Sequence, residues 1–256
     1  VSLFAQATNL ANLQAAWDKV RRNDGCAGVD GVDIEDFAFT LDTNLKRLQQ
    51  DLQTQKYTPR PLLQVFISKE DGSQRPLAIP TVRDRVAMTA VSLVLMPLFE
   101  RHFEDASYGY RAGRGIAHAT LRVQQLYDQG YRWVVDADIE DFFNQVDHPI
   151  LFDKLRQWVD DDALVRLITL WVQAKVRYKD ALTTLNEGLP QGSPLSPVLA
   201  NMYLDAFDDR LKAKGMRFVR YADDFLLLCK DEPSAQQAFM DAGLTTGTKV
   251  ANRCQG

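Results

Sequence analysis

The sequence predicts a mixed α+β chain, on three observations. Leucine and aromatic residues recur at three- and four-residue spacing in several segments, the mark of helices with one buried face. Short apolar runs flank turns rich in Asp and Gly, as strands do in hairpins. The two kinds of segment are interleaved along the chain instead of being segregated into halves.

Leu10, Leu13, Trp17 and Val20 mark a first helix, and Phe37, Leu41, Leu45, Leu48 and Leu52 a second. The Gly-rich turn Ala27–Gly31 joins them. Tyr57–Pro61 breaks the pattern, after which Leu63–Ser68 and Arg75–Ile79 face each other across Asp71-Gly72, a hairpin signal. Val82–Phe103 and Ile116–Tyr127 read as helices, separated by the polar, Gly-rich loop Ser107–Gly115. Trp133–Val135 reads as a buried strand, and Asp136–His148 leads out of it. Asp161–Ala174 is a further helix. Pro194 and Pro197 sit where a helix starts, and Leu199–Lys214 continues it as far as Gly215. Phe218–Tyr221 and Phe225–Cys229 are strands flanking Ala222-Asp223-Asp224. The chain has no internal repeat and no low-complexity segment.

With 256 residues, 46% hydrophobic and 25% charged, the chain has enough apolar material for one large domain or two small ones and reads as soluble and globular. The most apolar uncharged stretch, Val86–Phe99, contains Thr89, Ser92 and Pro97 and is too short for a membrane span. The N-terminus lacks the basic start and apolar centre of a signal peptide. Cys26, Cys229 and Cys254 form neither a disulfide framework nor a metal pair, which suits a reducing cytoplasm. A net charge of −4 argues against a nucleic-acid binder, but the charge is unevenly spread. Lys56–Arg122 holds ten Lys/Arg against six Asp/Glu, whereas Val123–Gly256 holds fifteen against twenty. The question becomes what the downstream carboxylates hold.

Asp138 lies just past an apolar strand, and Asp223 and Asp224 lie at the tip of an apolar hairpin. If the two strand systems share a sheet, three carboxylates converge at one end of it. Such oxygens repel one another unless a hard cation intervenes, and Mg²⁺ favours carboxylate, water and phosphate ligands. Each site alone also fits ordinary turn chemistry or a helix N-cap. Lys69 and Arg75 flank the first hairpin turn and suit the phosphates of a triphosphate, or a solvated hairpin. Gly188–Asp205 opens with Leu-Pro-Gln-Gly, a rigid turn presenting Gln191 ahead of a helix.

Read in order, these segments resemble the sequence blocks of reverse transcriptases of the bacterial group II intron-encoded and CRISPR-associated type. The matching pieces are AAWDKVRRNDGCAGVDG (Ala15–Gly31), FISKEDGSQRPLAIPTVRDRV (Phe66–Val86), FEDASYGYRAGRG (Phe103–Gly115), VVDADIEDFFNQVDH (Val134–His148), GLPQGSPLSPVLANMYLD (Gly188–Asp205) and RYADDF (Arg220–Phe225). The resemblance implies a right-hand polymerase fingers–palm fold with an antiparallel palm sheet packed on helices. Residues 1–60 would be an N-terminal helical extension of the fingers, 61–130 the fingers with their β-hairpin, and 131–256 the palm. It implies catalytic, metal-holding roles for Asp138, Asp223 and Asp224, with the Ile139 backbone carbonyl as an extra metal ligand. Lys69 and Arg75 resemble residues that contact the incoming triphosphate. Phe143 is similar to the aromatic gate that excludes a ribose 2′-OH, with core packing beside Phe142 as its other reading. Gln191 resembles the glutamine lining the nucleotide pocket. The implied cofactor is a pair of Mg²⁺ ions, with Mn²⁺ as a substitute.

The implied partners are an RNA template, a DNA primer and dNTPs, together with intron RNA or CRISPR integrase proteins, in a bacterial cytoplasm and away from membranes. Arg83, Arg85, Arg111 and Arg114 would offer a basic face to the template, although Asp84 equally suggests a structural ion-pair cluster for the first two. His102, His118 and His148 read as structural. Only 32 residues follow Asp224, so the thumb is expected to be missing or truncated, with poor retention of primer–template as the result. The alternatives are a non-enzymatic RNA-binding maturase-type module, or a palm polymerase acting without a template or on DNA.

Overall fold

The computed structural model describes residues 1–68, 72, 74–139 and 141–246. Its first half runs α1 (Leu3–Ala7), α2 (Leu10–Asn23), α3 (Ile34–Phe39), α4 (Leu41–Gln53), β1 (Leu62–Ser68), β2 (Gln74–Ile79), α5 (Val82–Phe99) and α6 (Ile116–Asp128). The second half runs β3 (Trp133–Asp138), α7 (Phe142–Gln145), α8 (His148–Trp158), α9 (Asp162–Val172), β4 (Lys175–Tyr178), β5 (Ala181–Thr184), α10 (Ser196–Ala213), β6 (Arg217–Tyr221), β7 (Asp224–Cys229) and α11 (Glu232–Thr246). No described helix is long and apolar enough to cross a membrane. The chain divides into two compact units, each built from separated segments. One comprises Val1–Leu98 and Phe143–Val198, and the other Phe99–Phe142 and Leu199–Gly256.

In the first unit the helix starts are written locally. Asn9 accepts the Asn12 amide at the head of α2, and Asp33 and Asp36 form a reciprocal capping box on α3. Asp161 caps α9 and also accepts the Phe4 amide at 2.8 Å, fastening α1 to α9. The helix expected across Phe37–Leu52 is broken at Thr40, which ends α3 and begins α4. The unbroken leucine spacing hides this, because both pieces bury the same kind of face. The expected Leu63–Ser68 and Arg75–Ile79 hairpin is present, with Leu63 opposite Ile79 and Ser68 opposite Gln74. Its four-stranded sheet has the order β2-β1-β4-β5, and β1 meets β4 in parallel through Leu62–Val176 and Leu63–Arg177.

The second unit is organised on an antiparallel sheet of order β3-β7-β6. Side chains alternate across a strand, so Val135 and Ala137 of β3 share a face with Phe225 and Leu227 of β7. That face packs on Phe207 and Leu211 of α10 and on Ala235, Ala238 and Ala242 of α11. On the opposite face α6 brings Ala119 and Leu126 against Val219 and Leu228. Residues 106–108 cover the outer edge of β6: the Arg220 amide donates to the Ala106 carbonyl at 2.8 Å and the Tyr108 amide to the Arg220 carbonyl at 2.9 Å. The helix expected as far as Phe103 stops at Phe99, where the His102 amide closes a turn on the Phe99 carbonyl.

Candidate active site

The sheet of the second unit brings together carboxylates that are distant in the chain. Asp138 ends β3 and lies directly opposite Asp224, the first residue of β7. Asp223 precedes it in the turn, next to Ala222, whose φ is +60°. By alternation Asp136, Asp138 and Asp224 stand on the face turned away from α10 and α11, and all three are exposed. Asp138 is pushed up to about 6, first by partial desolvation and then by the charges of Asp223 and Asp224, against a bond from the Ile139 amide. Desolvation and the charges of Asp223 and Asp136 raise Asp224 as well. The Ile139 carbonyl accepts the Phe142 amide at 3.2 Å, which leaves one of its two lone pairs for a further partner.

Among the described residues, no group of three or more His, Cys, Asp or Glu is arranged to hold a metal ion as it stands. The donor chemistry nonetheless fits one. Asp138 and Asp224 are both raised in part by the charges of acidic neighbours, and a divalent cation removes that repulsion. Their ligand atoms are all hard oxygens, which suits Mg²⁺. An apolar groove of about 380 Å³ lies alongside, lined by Ala119 and Val123 of α6 and by Asp136, Tyr221, Asp224 and Leu226 of the sheet.

The other expected contacts fall in the first unit. Lys69 lies outside the described residues. Arg75 is exposed on β2, opposite Ile67. The Gln191 side chain is half-buried, and its carbonyl accepts the Ala78 amide of β2 at 2.7 Å. Two glycines make this approach feasible. A Cβ on Gly192, at φ +113°, would lie 3.0 Å from the Ala78 carbonyl oxygen, and one on Gly188, at φ +83°, would lie 2.9 Å from the Phe143 and Asn144 carbonyls. The Leu189 amide donates to the Phe143 carbonyl at 2.6 Å. Phe143 and Gln191 therefore share one turn system beside β2. Phe142 is buried and Phe143 half-buried. A cavity of about 440 Å³ opens here, lined by Gln64, Pro76, Ala78, Asn144, Gly188 and Gln191.

The arginines expected to face a template are engaged within the chain. Arg83 pairs with Asp51 at 2.7 Å and lies over the Tyr57 ring. Arg85 donates to the carbonyls of Asp24 and Cys26. Arg111, buried, grips Glu100 and the carbonyls of Glu104 and Ser107, and Arg114 pairs with Asp105. Arg85, Arg111 and Arg114 satisfy carbonyls and carboxylates in irregular segments, whereas Arg83 links α5 to Asp51 of α4. His148 is buried with Nε2 bonded to the Gly188 carbonyl, a structural place as expected. Sequence reasoning passed over Asp136, although its position two residues before Asp138 in a strand is the signal that both share a face.

The fold is that of a palm-type polymerase, with an antiparallel sheet on two helices and its acidic strand end left open. Residues 67–250 match the family described as reverse transcriptase (RNA-dependent DNA polymerase), and the chain belongs to that family. Protein YkfC of Escherichia coli K12 is 32% identical over 253 residues, covering 84% of this chain and 66% of that protein. The group II intron-encoded protein LtrA of Lactococcus lactis subsp. cremoris is 33% identical over 177 residues, covering 69% of this chain and 29% of LtrA. The chain thus spans less than two thirds of the length of either relative. Among solved structures, a chain of a partial Cas6-RT-Cas1–Cas2 complex superposes with a TM-score of 0.59 at 30% identity, covering 96% of this chain and 43% of that one.

Proposed function

We propose that this chain carries the polymerase chemistry of an RNA-directed DNA polymerase, extending a primer 3′-OH with dNTPs on an RNA template. One observation carries the reading: within a chain of this family, Asp138 and Asp224 are register partners at an exposed end of the sheet with Asp223 beside them. In the reaction the primer O3′ bonds to the α-phosphorus, the O3′ proton departs and pyrophosphate leaves. Asp138, Asp223 and Asp224 would hold two Mg²⁺ ions, which when bound favour the ionised 3′-OH and neutralise charge on the triphosphate and pyrophosphate. Lys69 and Arg75 supply positive charge for the triphosphate, Gln191 lines the nucleotide pocket, and Phe143 excludes a 2′-OH. The names of the relatives support intron RNA or a CRISPR integrase as the larger partner, in a bacterial cytoplasm.

The test is primer extension with Mg²⁺ and dNTPs on RNA and DNA templates, wild type against Asp223→Asn. Extension on RNA that the substitution abolishes supports the reading. Extension on DNA alone, or without a template, redirects it to another palm polymerase, and RNA binding without extension redirects it to a maturase-type module. Phe143→Ala is expected to weaken discrimination against ribonucleotides about 10-fold or more, read as the ratio of kcat/KM for dNTP and rNTP. An unchanged ratio removes the gate.

A further inference from the structure

Strand β6 carries a charge where the fold offers no water. Arg220 is fully buried, and so is Asp208 of α10. The guanidinium grips that carboxylate with two prongs, Nε to Oδ1 at 2.7 Å and Nη2 to Oδ2 at 2.5 Å. Its remaining edge points along the strand: Nη1 donates to Asn201 Oδ1 at 3.1 Å and to the Ala222 carbonyl at 2.8 Å. Asn201, also buried, lies two turns before Asp208 on α10 and donates to the Gly109 carbonyl at 2.8 Å.

A buried ion pair is a poor device for stability alone, because apolar residues of similar volume serve as well or better. What an apolar pair cannot do is hold a carbonyl. The carbonyl held here belongs to Ala222, whose φ of +60° is disfavoured for a residue with a Cβ and whose next neighbour is Asp223. On its other side the turn meets Gly109, where a Cβ would lie 2.4 Å from the Ala222 nitrogen. The turn is therefore gripped from α10 and from residues 106–109 together.

We infer that Arg220, held by Asp208 and Asn201, is a positioning residue that fixes the Ala222 turn and with it the Asp223 and Asp224 carboxylates. Its catalytic consequence rests on the polymerase reading, whereas its effect on the turn does not. Two variants of the full chain test it. Arg220→Met/Asp208→Leu replaces the ion pair by apolar side chains, and Arg220→Lys keeps the charge without the planar fork.

The double variant is expected to fold but to melt a few degrees below wild type, because the Ala222 carbonyl and Asn201 Oδ1 lose their donor, and to lose about 10²-fold in kcat with the KM for dNTP nearly unchanged. Amide hydrogen exchange at Ala222–Asp224 should speed up, and Mn²⁺ titration should show weaker binding, with Asp223→Asn as the reference for a lost ligand. Arg220→Lys should fall between. A double variant that folds and keeps wild-type kcat, exchange and Mn²⁺ affinity overturns the inference, since the pair would then be structural only. If the double variant fails to fold, Arg220→Lys decides: wild-type exchange and Mn²⁺ affinity in that variant overturn the inference equally. If the wild type extends no primer, the polymerase reading fails by itself. The exchange and Mn²⁺ measurements still decide whether Arg220 positions the turn.

Discussion

Asp138→Asn is expected to abolish primer extension while making the metal-free fold more stable at alkaline pH. The loss of activity follows from removing a charged oxygen that meets Asp224 across the strands, and should be on the order of 10³-fold. The gain in stability follows from the raised carboxyl, which sits at about 6. An acid whose pKa is raised on folding binds its proton more tightly in the native state. The penalty of ionising Asp138 is thus absent only well below the ordinary carboxyl value of 3.8, grows as pH rises through it, and levels off above the folded value of about 6. Asparagine removes that penalty. Because the side chain is exposed, water trims the benefit to about 1 kcal/mol, roughly 2–4 °C in melting temperature. Melting curves in EDTA should therefore separate at pH 8 and converge as pH falls below the ordinary carboxyl value of 3.8. Equal melting at pH 8 as well would show that the carboxylates do not repel one another as described.

Asp84→Ala should be the most damaging of simple truncations in the first unit, at about 3–5 kcal/mol. Asp84 is 1% exposed and accepts the Tyr57 hydroxyl, the Thr81 hydroxyl at 2.8 Å and the Arg60 amide at 3.1 Å. Trp171 of α9 donates to the Tyr57 oxygen at 2.9 Å, so the carboxylate ties α5 to residues 57–60 and, through Tyr57, to α9. Burial, reinforced by Asp84, pushes the Tyr57 phenol well above its usual range and keeps it a donor. Truncation strands two buried hydroxyls and the part-buried Arg60 amide at once. Urea unfolding should show the midpoint falling with an unchanged slope. Asp84→Asn, which retains one acceptor oxygen, should lose about half as much. A loss below about 1 kcal/mol for the alanine variant would mean these donors find other partners.

The acidic sheet end was legible because its signals are local: an apolar strand ending in Asp138, and two apolar strands joined through Asp223-Asp224. Their register needed only strand adjacency. The β4–β5 hairpin was missed because both strands are largely exposed and their turn uses Lys179, at φ +52°, with Asp180 in place of glycine. Helix α8 was passed over although Asp147 caps it and Pro149 sits in its first turn. Thr40, a residue with no special turn preference, gave no warning of the break between α3 and α4. The internal partners of the arginines were not legible for a different reason. Whether a cation faces solvent or an internal carbonyl depends on partners far along the chain, such as Asp51 for Arg83 and Glu100 for Arg111. Arg220 is the extreme case, a buried guanidinium inside a run whose spacing looks like an ordinary surface strand.

The interleaving of the two units governs the order in which the protein can take shape as it leaves the ribosome. Strand β3 has β7 as its sheet neighbour and is made long before it, while β1 pairs at once with β2 but waits for β4 on its other edge. Throughout that interval Val135 and Ala137 of β3 lack Phe225 and Leu227 and the helices that cover them, which exposes the nascent chain to misassociation. A pause in translation before residue 175 would leave both sheets incomplete, whereas every strand is available once residue 229 has emerged from the ribosome.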